Sequence, residues 1–361
     1  MSYEFCNRKE FQVGVERLEV RNYLGLDKIS MEFTPLHALI GSSDVGKSRI
    51  LRAVGTAAQV ATGTLRPVVN RDFKSFWEPF NAAIDVNAPD FEITIHSNGT
   101  SYALKKRGRL FLEKYLMGCD VCWLERDLSV VGYGTEDVLG LPAMRGWVRP
   151  KLLDLELVGL RSSCDNRLGF SSNHWFENEA GFGLSLMYHK LFFLEDQESL
   201  KIQKDIQEWF PNFRRFYFDS IMKASMNVEF VGGVLHIDSI GSGLLYYMAY
   251  AVLPYVRDLP SILLIESPEK GLHPHLIPRV MQILRELSDR CQVIITTHSP
   301  LVVNEFRQEE VTLIVEGDSG LKAVPMPETI NFEERSKIYH LGELWLSYME
   351  GGSENYLVSW P

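Results

Sequence analysis

The chain has 361 residues, of which 45% are hydrophobic and 23% charged, enough apolar material for a sizeable core and too ordered a composition for a disordered chain. Lys plus Arg total 37 against 47 Asp plus Glu, a net charge of -10 that excludes a wholesale nucleic-acid coat. An acidic chain still has room for a local basic groove, so contact with DNA or RNA stays open.

The opening Met1-Ser2-Tyr3-Glu4-Phe5-Cys6 lacks the apolar core of a signal peptide. No apolar run reaches the about 18 residues of a membrane span, so no membrane partner is expected. Five cysteines, an odd number, do not suggest a disulfide framework, and a cytoplasmic protein is expected. Cys119 and Cys122 form a lone CxxC with Cys164 as a third thiol. A structural zinc takes four ligands, so ordinary thiols are the expectation.

In chain order, Val13 to Val20 and Ile29 to Phe33 alternate as strands around a turn at Asn22 to Asp27. Leu36 to Ile40 is a short apolar strand that runs directly into Gly41, Ser42, Ser43, Asp44, Val45, Gly46, Lys47 and Ser48. Ser48 to Val60 then shows helical spacing through Ile50, Leu51, Val54 and Ala58. Strand, glycine loop and helix are the setting of the phosphate-binding pattern G-x-x-x-x-G-K-[ST]. Its glycines let the backbone wrap phosphates, and the helix N-terminus adds its dipole. Lys47 is placed to reach the β- and γ-phosphates, and the Ser48 hydroxyl to ligate Mg2+.

Phe91 to Ile95 and Tyr102 to Leu104 predict a hairpin turning at Ser97 to Thr100. Residues 108–225 read as an inserted, mainly helical region without sustained heptads. Strand pattern returns over 226–237, with a turn at Gly232-Gly233. Leu244 to Val256 is apolar on all sides, which predicts a buried helix. Ser261 to Ile265 and Gln292 to Thr297 are continuous apolar runs, as for inner strands of a parallel sheet. Between them, Pro274 to Leu287 carries an amphipathic stripe. Val311 to Val315 with Leu321 to Val324 predicts a closing hairpin, and Phe332 to Met349 a terminal helix.

Two strand ends carry further chemistry. Ile262 to Ile265 ends in the carboxylate of Glu266, where P-loop enzymes place a group that orients Mg2+ and its water. The next core strand ends at Thr296-Thr297-His298-Ser299, where a histidine can sense a γ-phosphate.

The order and wording of these motifs resemble the ABC-type ATPases of the SMC/RecF/OLD-like group, often called AAA-like ATPases of defence and repair systems. Val20-Arg21-Asn22-Tyr23 is similar to the opening strand of that group. Glu266 to Pro274 resembles its extended Walker B stretch, Thr297-His298-Ser299-Pro300 its switch-histidine loop, and Ile240 to Leu244 a degenerate signature motif. The resemblance covers roughly residues 13–60 and 226–350.

It implies ATP with Mg2+, and two heads that dimerise head to tail around two nucleotides. Ser242 and Gly243 of one head would then meet the γ-phosphate held by the other. The implied metal ligands are Ser48 and Glu266, and the candidate catalytic set is Glu266, Ser267, Glu269 and His298. One position departs from the pattern. The glutamate that polarises the attacking water is replaced by Ser267, and losing a general base costs about 10²–10⁴ in rate. Glu269 lies close by but matches a separate position of the pattern.

The sequence therefore predicts an α/β P-loop fold with a mixed sheet. Residues 1–107 and 226–361 would form the two lobes of the ATPase, flanking the insertion. The expected function is an ATP-binding switch, slow or inactive in hydrolysis, that forms a homodimer or higher homo-oligomer and controls a separate effector such as a nuclease or toxin. Anti-phage defence is the implied context, and a DNA-dependent ATPase of repair or translocation is the alternative. Glu316-Gly317-Asp318 echoes the start of a TOPRIM nuclease domain, but too few residues follow, and a hairpin turn is expected. The basic run Lys105 to Arg109, with Arg145, Arg149 and Lys151, is expected to be solvated loop charge.

Overall fold

The computed structural model describes residues 14–61, 89–108, 110–117, 120–127, 150–161, 175–176, 179–194, 196–219, 224–257, 259–317 and 320–349. The chain begins with the hairpin β1 (Arg17–Tyr23) and β2 (Leu26–Glu32), then β3 (Leu36–Ile40) and α1 (Lys47–Ala61). A meander follows: β4 (Phe91–Ser97), β5 (Thr100–Arg107), β6 (Leu110–Met117) and β7 (Asp120–Asp127). Next come β8 (Lys151–Leu153), α2 (Leu157–Arg161), α3 (Leu184–Leu194) and α4 (Asp196–Trp209). After these lie β9 (Phe213–Phe218), β10 (Met226–Phe230), β11 (Gly233–His236) and α5 (Ser242–Ala251). The chain continues through β12 (Ile262–Glu266), α6 (Ile277–Ser288), β13 (Gln292–Thr296) and α7 (Pro300–Val303). It closes with β14 (Val311–Gly317), β15 (Gly320–Pro325), α8 (Phe332–Arg335) and α9 (Leu341–Met349).

The central sheet has the order β15-β14-β3-β13-β12-β8. Every pairing in it is parallel except that of β14 with β15. Its inner strands β3, β12 and β13 are buried at nearly every position and mostly apolar because both faces are covered. Leu263, Ile265, Val293 and Ile295 point into one hydrophobic cluster with α5 and α6. Ile262, Leu264 and Ile294 point into the other, with α1 and the antiparallel sheet. That second sheet has the order β2-β1-β4-β5-β6-β7. Helix α1 lies between the two sheets, touching β4, β5, β12 and β13. Its buried Ala53, Ala57, Ala58 and Ala61 allow this close fit, while Ile50, Leu51 and Val54 supply apolar area. Burying each larger aliphatic side chain stabilises the fold by about 1.5–3 kcal/mol.

The small sheet β11-β10-β9 and helices α3 and α4 cover the other cluster. Helix α5 is buried from Leu244 through Ala251, as its all-apolar sequence requires. Three polar contacts fix it. Tyr188 Oη donates to the Met248 carbonyl at 2.9 Å, Tyr247 Oη donates to Asp205 at 2.7 Å, and Arg279 of α6 grips the same Asp205.

Two expectations need correction. The span 108–225 is not a mainly helical insertion among the described residues. It supplies β6 and β7 to the antiparallel sheet, β8 to the central sheet and β9 to the small one, alongside α2, α3 and α4. The antiparallel sheet therefore runs straight across the expected boundary at residue 107. The tertiary environment decides here: β8 has three residues, too few to show any period, yet it pairs with buried β12. The expected terminal helix over Phe332 to Met349 is two helices, α8 and α9, with residues 336–340 between them.

Gln292, at the start of β13, joins the sheets. Its buried amide accepts from Val15 N at 2.8 Å and donates to the Val15 and Thr34 carbonyls at 2.8 and 3.2 Å. Gln292→Ala strands both backbone groups of buried Val15, each worth about 1–3 kcal/mol unpaired. The expected outcome is a loss of roughly 2–5 kcal/mol in urea unfolding, with the denaturant slope unchanged.

Candidate functional site

The sheet register assembles the site. Leu39 pairs with Thr296, and Thr296 with Glu266, so the ends of β3, β13 and β12 share one row. Leu153 of β8 pairs with Ile265, which brings Asp154 to the same edge. Carboxyl ends of parallel strands are where α/β folds bind ligands.

At the end of β3 the chain turns through Gly41 with φ of 142°, a region that L side chains avoid. A Cβ on Gly41 would stand 2.4 Å from the Ile314 carbonyl oxygen of β14. Val45 and Gly46 are buried, whereas Ser42, Ser43 and Asp44 form an exposed rim. Asp44 takes φ of 63°, and its carbonyl accepts from Arg49 at 3.2 Å. Lys47 is only 5% exposed and donates to the Gly41 and Ser42 carbonyls at 2.9 and 2.7 Å. Helix α1 has no acidic residue in its first turn, so nothing opposes its N-terminal dipole. The loop thus presents amides, an ammonium group and a helix N-terminus to an anion.

Ser48 Oγ donates to Glu266 Oε2 at 2.8 Å across 218 residues of sequence. The other oxygen, Oε1, is buried without a hydrogen-bond partner among the described residues. Burial raises the Glu266 pKa above the ordinary carboxylate value and Asp154 adds to this, while Ser48, Arg52 and Lys270 oppose it. A hydroxyl and a half-satisfied carboxylate at the end of a phosphate-binding loop fit Mg2+, which binds through one or two carboxylates, substrate phosphates and water. Among the described residues no three His, Cys, Asp or Glu side chains converge as a metal cage.

The remaining predicted residues form a second group. Ser267 adopts φ of 47°, rare for a non-glycine residue, and its N–H extends the ladder to the Thr296 carbonyl at 2.9 Å. Both oxygens of Glu269 are engaged, accepting from Thr297 Oγ1 at 2.9 Å and from the His298 amide at 3.1 Å. Glu269 therefore ties the Walker B turn to the switch loop, and the His298 residue stands exposed beyond that tie. Ser242 and Gly243 open α5, with Ser242 exposed. A Cβ on Gly243 would lie 3.8 Å from the Gly271 carbonyl, so the signature turn borders the Walker B loop. Gly271, with φ of 71°, could not carry a side chain beneath the Tyr246 ring.

Sequence reasoning missed three neighbours of Glu266. Arg52, Asp154 and Glu179 all act electrostatically around it, and Asp154 pairs with Lys270 at 3.1 Å. Asp154 carries a legible signal, an acid closing the apolar pair Leu152-Leu153; Glu179 carries none. Of the basic run, Lys105 pairs with Glu92 at 3.0 Å and Lys106 is buried. Arg109, Arg145, Arg149, Cys119 and Cys164 lie outside the described residues. Glu316 and Gly317 end β14 in the expected hairpin.

A family described as "AAA domain, putative AbiEii toxin, Type IV TA system" matches residues 190–304, which include the signature, Walker B and switch-histidine stretches. The chain is 26% identical over 340 residues to a protein named OLD nuclease from Thermus scotoductus, covering 83% of this chain. It spans 62% of that relative's length. An SMC head, solved bound to the C-winged helix domain of ScpA, shares the fold at a TM-score of 0.54 and 15% identity, over 90% of this chain and 99% of that one. These matches support a P-loop fold similar to that of ABC-type ATPases of the SMC/RecF/OLD-like group. The glycine loop lies outside the segment matched by the family, and the placement of Ser48 against Glu266 brings the two parts of the site together. Among the described residues no helix is long and apolar enough to cross a membrane.

Gly41→Ala must displace the β14 carbonyl or the loop. We expect a loss of about 1–3 kcal/mol in stability, with weakened binding of a fluorescent ATP analogue in titration.

Proposed function

We propose that this chain binds ATP with Mg2+ as a slow or non-hydrolysing switch, dimerises around the nucleotide and controls a separate effector. The observation that carries this reading is the Ser48–Glu266 contact of 2.8 Å beside a residue, Ser267, that lacks a carboxylate. Lys47 leaves the loop carbonyls for the β- and γ-phosphates, and the loop amides and α1 dipole hold the remaining charge. Ser48 and Glu266 would hold Mg2+, which would supply charge neutralisation on the phosphates.

Hydrolysis needs a base for the attacking water, and Ser267 offers only a hydroxyl. Glu269 is a poor substitute because Thr297 and the His298 amide each bond one of its oxygens and hold the carboxylate to the switch loop. His298, at the exposed end of that tie, is positioned to read the γ-phosphate and relay its presence to the Walker B turn. Dimerisation is supported by the exposed N-terminus of α5, which carries no acidic residue in its first turn. Ser242 and Gly243 would approach the partner head's nucleotide there.

The effector is read as a nuclease or toxin on another chain, in anti-phage defence. Support for this comes from the toxin-system description of the matching family and the nuclease name of the relative. The relative's activity is not transferred with its name, since the match spans 62% of its length.

Lys47→Ala should abolish binding of ATP in calorimetric titration. Wild-type turnover should be barely detectable and rise about 10²–10⁴-fold in Ser267→Glu. Robust wild-type turnover that survives Glu269→Gln would remove the basis for the slow switch. ATP with Mg2+ should double the mass seen by light scattering, and Ser242→Arg should prevent this while leaving nucleotide affinity intact.

A further inference from the structure

Glu179 lies outside every recognisable motif, yet the fold carries it to the nucleotide site. Its backbone is fixed by the segment that follows β8. Asp154 N donates to the Glu179 carbonyl at 2.9 Å, and Glu156 N to the Ala180 carbonyl at 3.0 Å. The first of these bonds is made by Asp154 itself, which the β8–β12 register sets beside Glu266.

The side chain is placed in a costly way. Glu179 Oε2 is buried and has no hydrogen-bond partner among the described residues, the same condition as Glu266 Oε1. Burial raises the Glu179 pKa; Arg52 lowers it, and Asp154, Glu266 and Glu156 raise it further. Arg52 and Asp154 act on Glu266 in the same senses. Two carboxylates, each with a buried oxygen that lacks a partner among the described residues, thus interact with one another and with one guanidinium, that of Arg52, one turn after Ser48 on α1. A buried acceptor without a donor is costly, more so when charged, so such an arrangement persists where a ligand supplies the donors.

We propose that Glu179 is an outer ligand of the Mg2+·ATP site, accepting hydrogen bonds from water on the cation held by Ser48 and Glu266. Mg2+ keeps several of its waters when bound to proteins, and those waters are strong donors aimed outward. A carboxylate one layer beyond Glu266 is where such a donor is received. Glu179 is a positioning residue in this role: it acts on the cation's water and thereby fixes the cation against the phosphates. The inference rests on the nucleotide-site reading above and adds a residue to it.

The test uses the full chain with Mn2+ as a paramagnetic probe and ATP as the nucleotide. Free Mn2+ is read by electron paramagnetic resonance, and a fluorescent ATP analogue is titrated separately in EDTA. Glu179→Gln and Glu179→Ala should bind the analogue in EDTA like wild type, but hold Mn2+ about 10–100-fold more weakly in the presence of ATP. In EDTA without nucleotide, Glu179→Gln should unfold at the same temperature as wild type or higher, since a buried charge has been removed. Mn2+ affinity unchanged in Glu179→Gln, while Glu266→Gln loses it, would overturn the role of Glu179 and leave the site intact. A lower unfolding temperature of Glu179→Gln in EDTA would also overturn it, as the mark of a structural residue. Equal nucleotide binding by wild type and Lys47→Ala would overturn the site itself.

Discussion

The contact between Ser48 and Glu266 is the interaction on which the rest of the site depends. It joins the first turn of α1 to the end of β12, parts of the chain separated by 218 residues. Sheet order makes it feasible. β13 lies between β3 and β12, and their pairing puts Leu39, Thr296 and Glu266 in one row. A slip of one residue in either pairing would reverse every side chain of the strand between its two faces. Both faces are buried, so the core itself guards the geometry of the carboxylate.

The same economy of construction appears around the row. Gly41 turns the chain where the β14 carbonyl leaves no room for a side chain. Gln292 holds β13 to the start of β1 and the end of β2. Asp205, gripped by Tyr247 and Arg279, fixes α5 behind its exposed first turn. Residues far from the phosphates thus set the position of those near them. The polar groups in these links are hydrogen-bonded, whereas Glu266 and Glu179, like His96 and Arg161, each keep a buried polar atom without a partner among the described residues.

The turn after β12 holds the two residues on which the proposed slow hydrolysis rests. Ser267 occupies a strained left-handed conformation at the position where a catalytic carboxylate is expected. Glu269 is present but serves Thr297 and the His298 amide. In the proposed function these two positions leave binding groups in place around a weakened hydrolytic step, and a long-lived ATP-bound state would give a partner protein time to read it.

The nucleotide loop, the carboxylate of Glu266, the buried character of α5 and the inner strands β3, β12 and β13 were all legible in the sequence. Each is a local pattern: a glycine spacing, an unbroken apolar run or an acid closing a strand, and each is dictated by backbone sterics or by burial on both faces. The tertiary structure alone decided the rest. It drew β6, β7, β8 and β9 out of a span that read as helical, because pairing with an existing sheet overrides weak local preference. It also tied both oxygens of Glu269, and it brought Arg52, Asp154 and Glu179 around Glu266. The reason is physical: periodicity records which face of one element is buried, but the field at a carboxylate depends on distances between elements, which only the packed chain fixes.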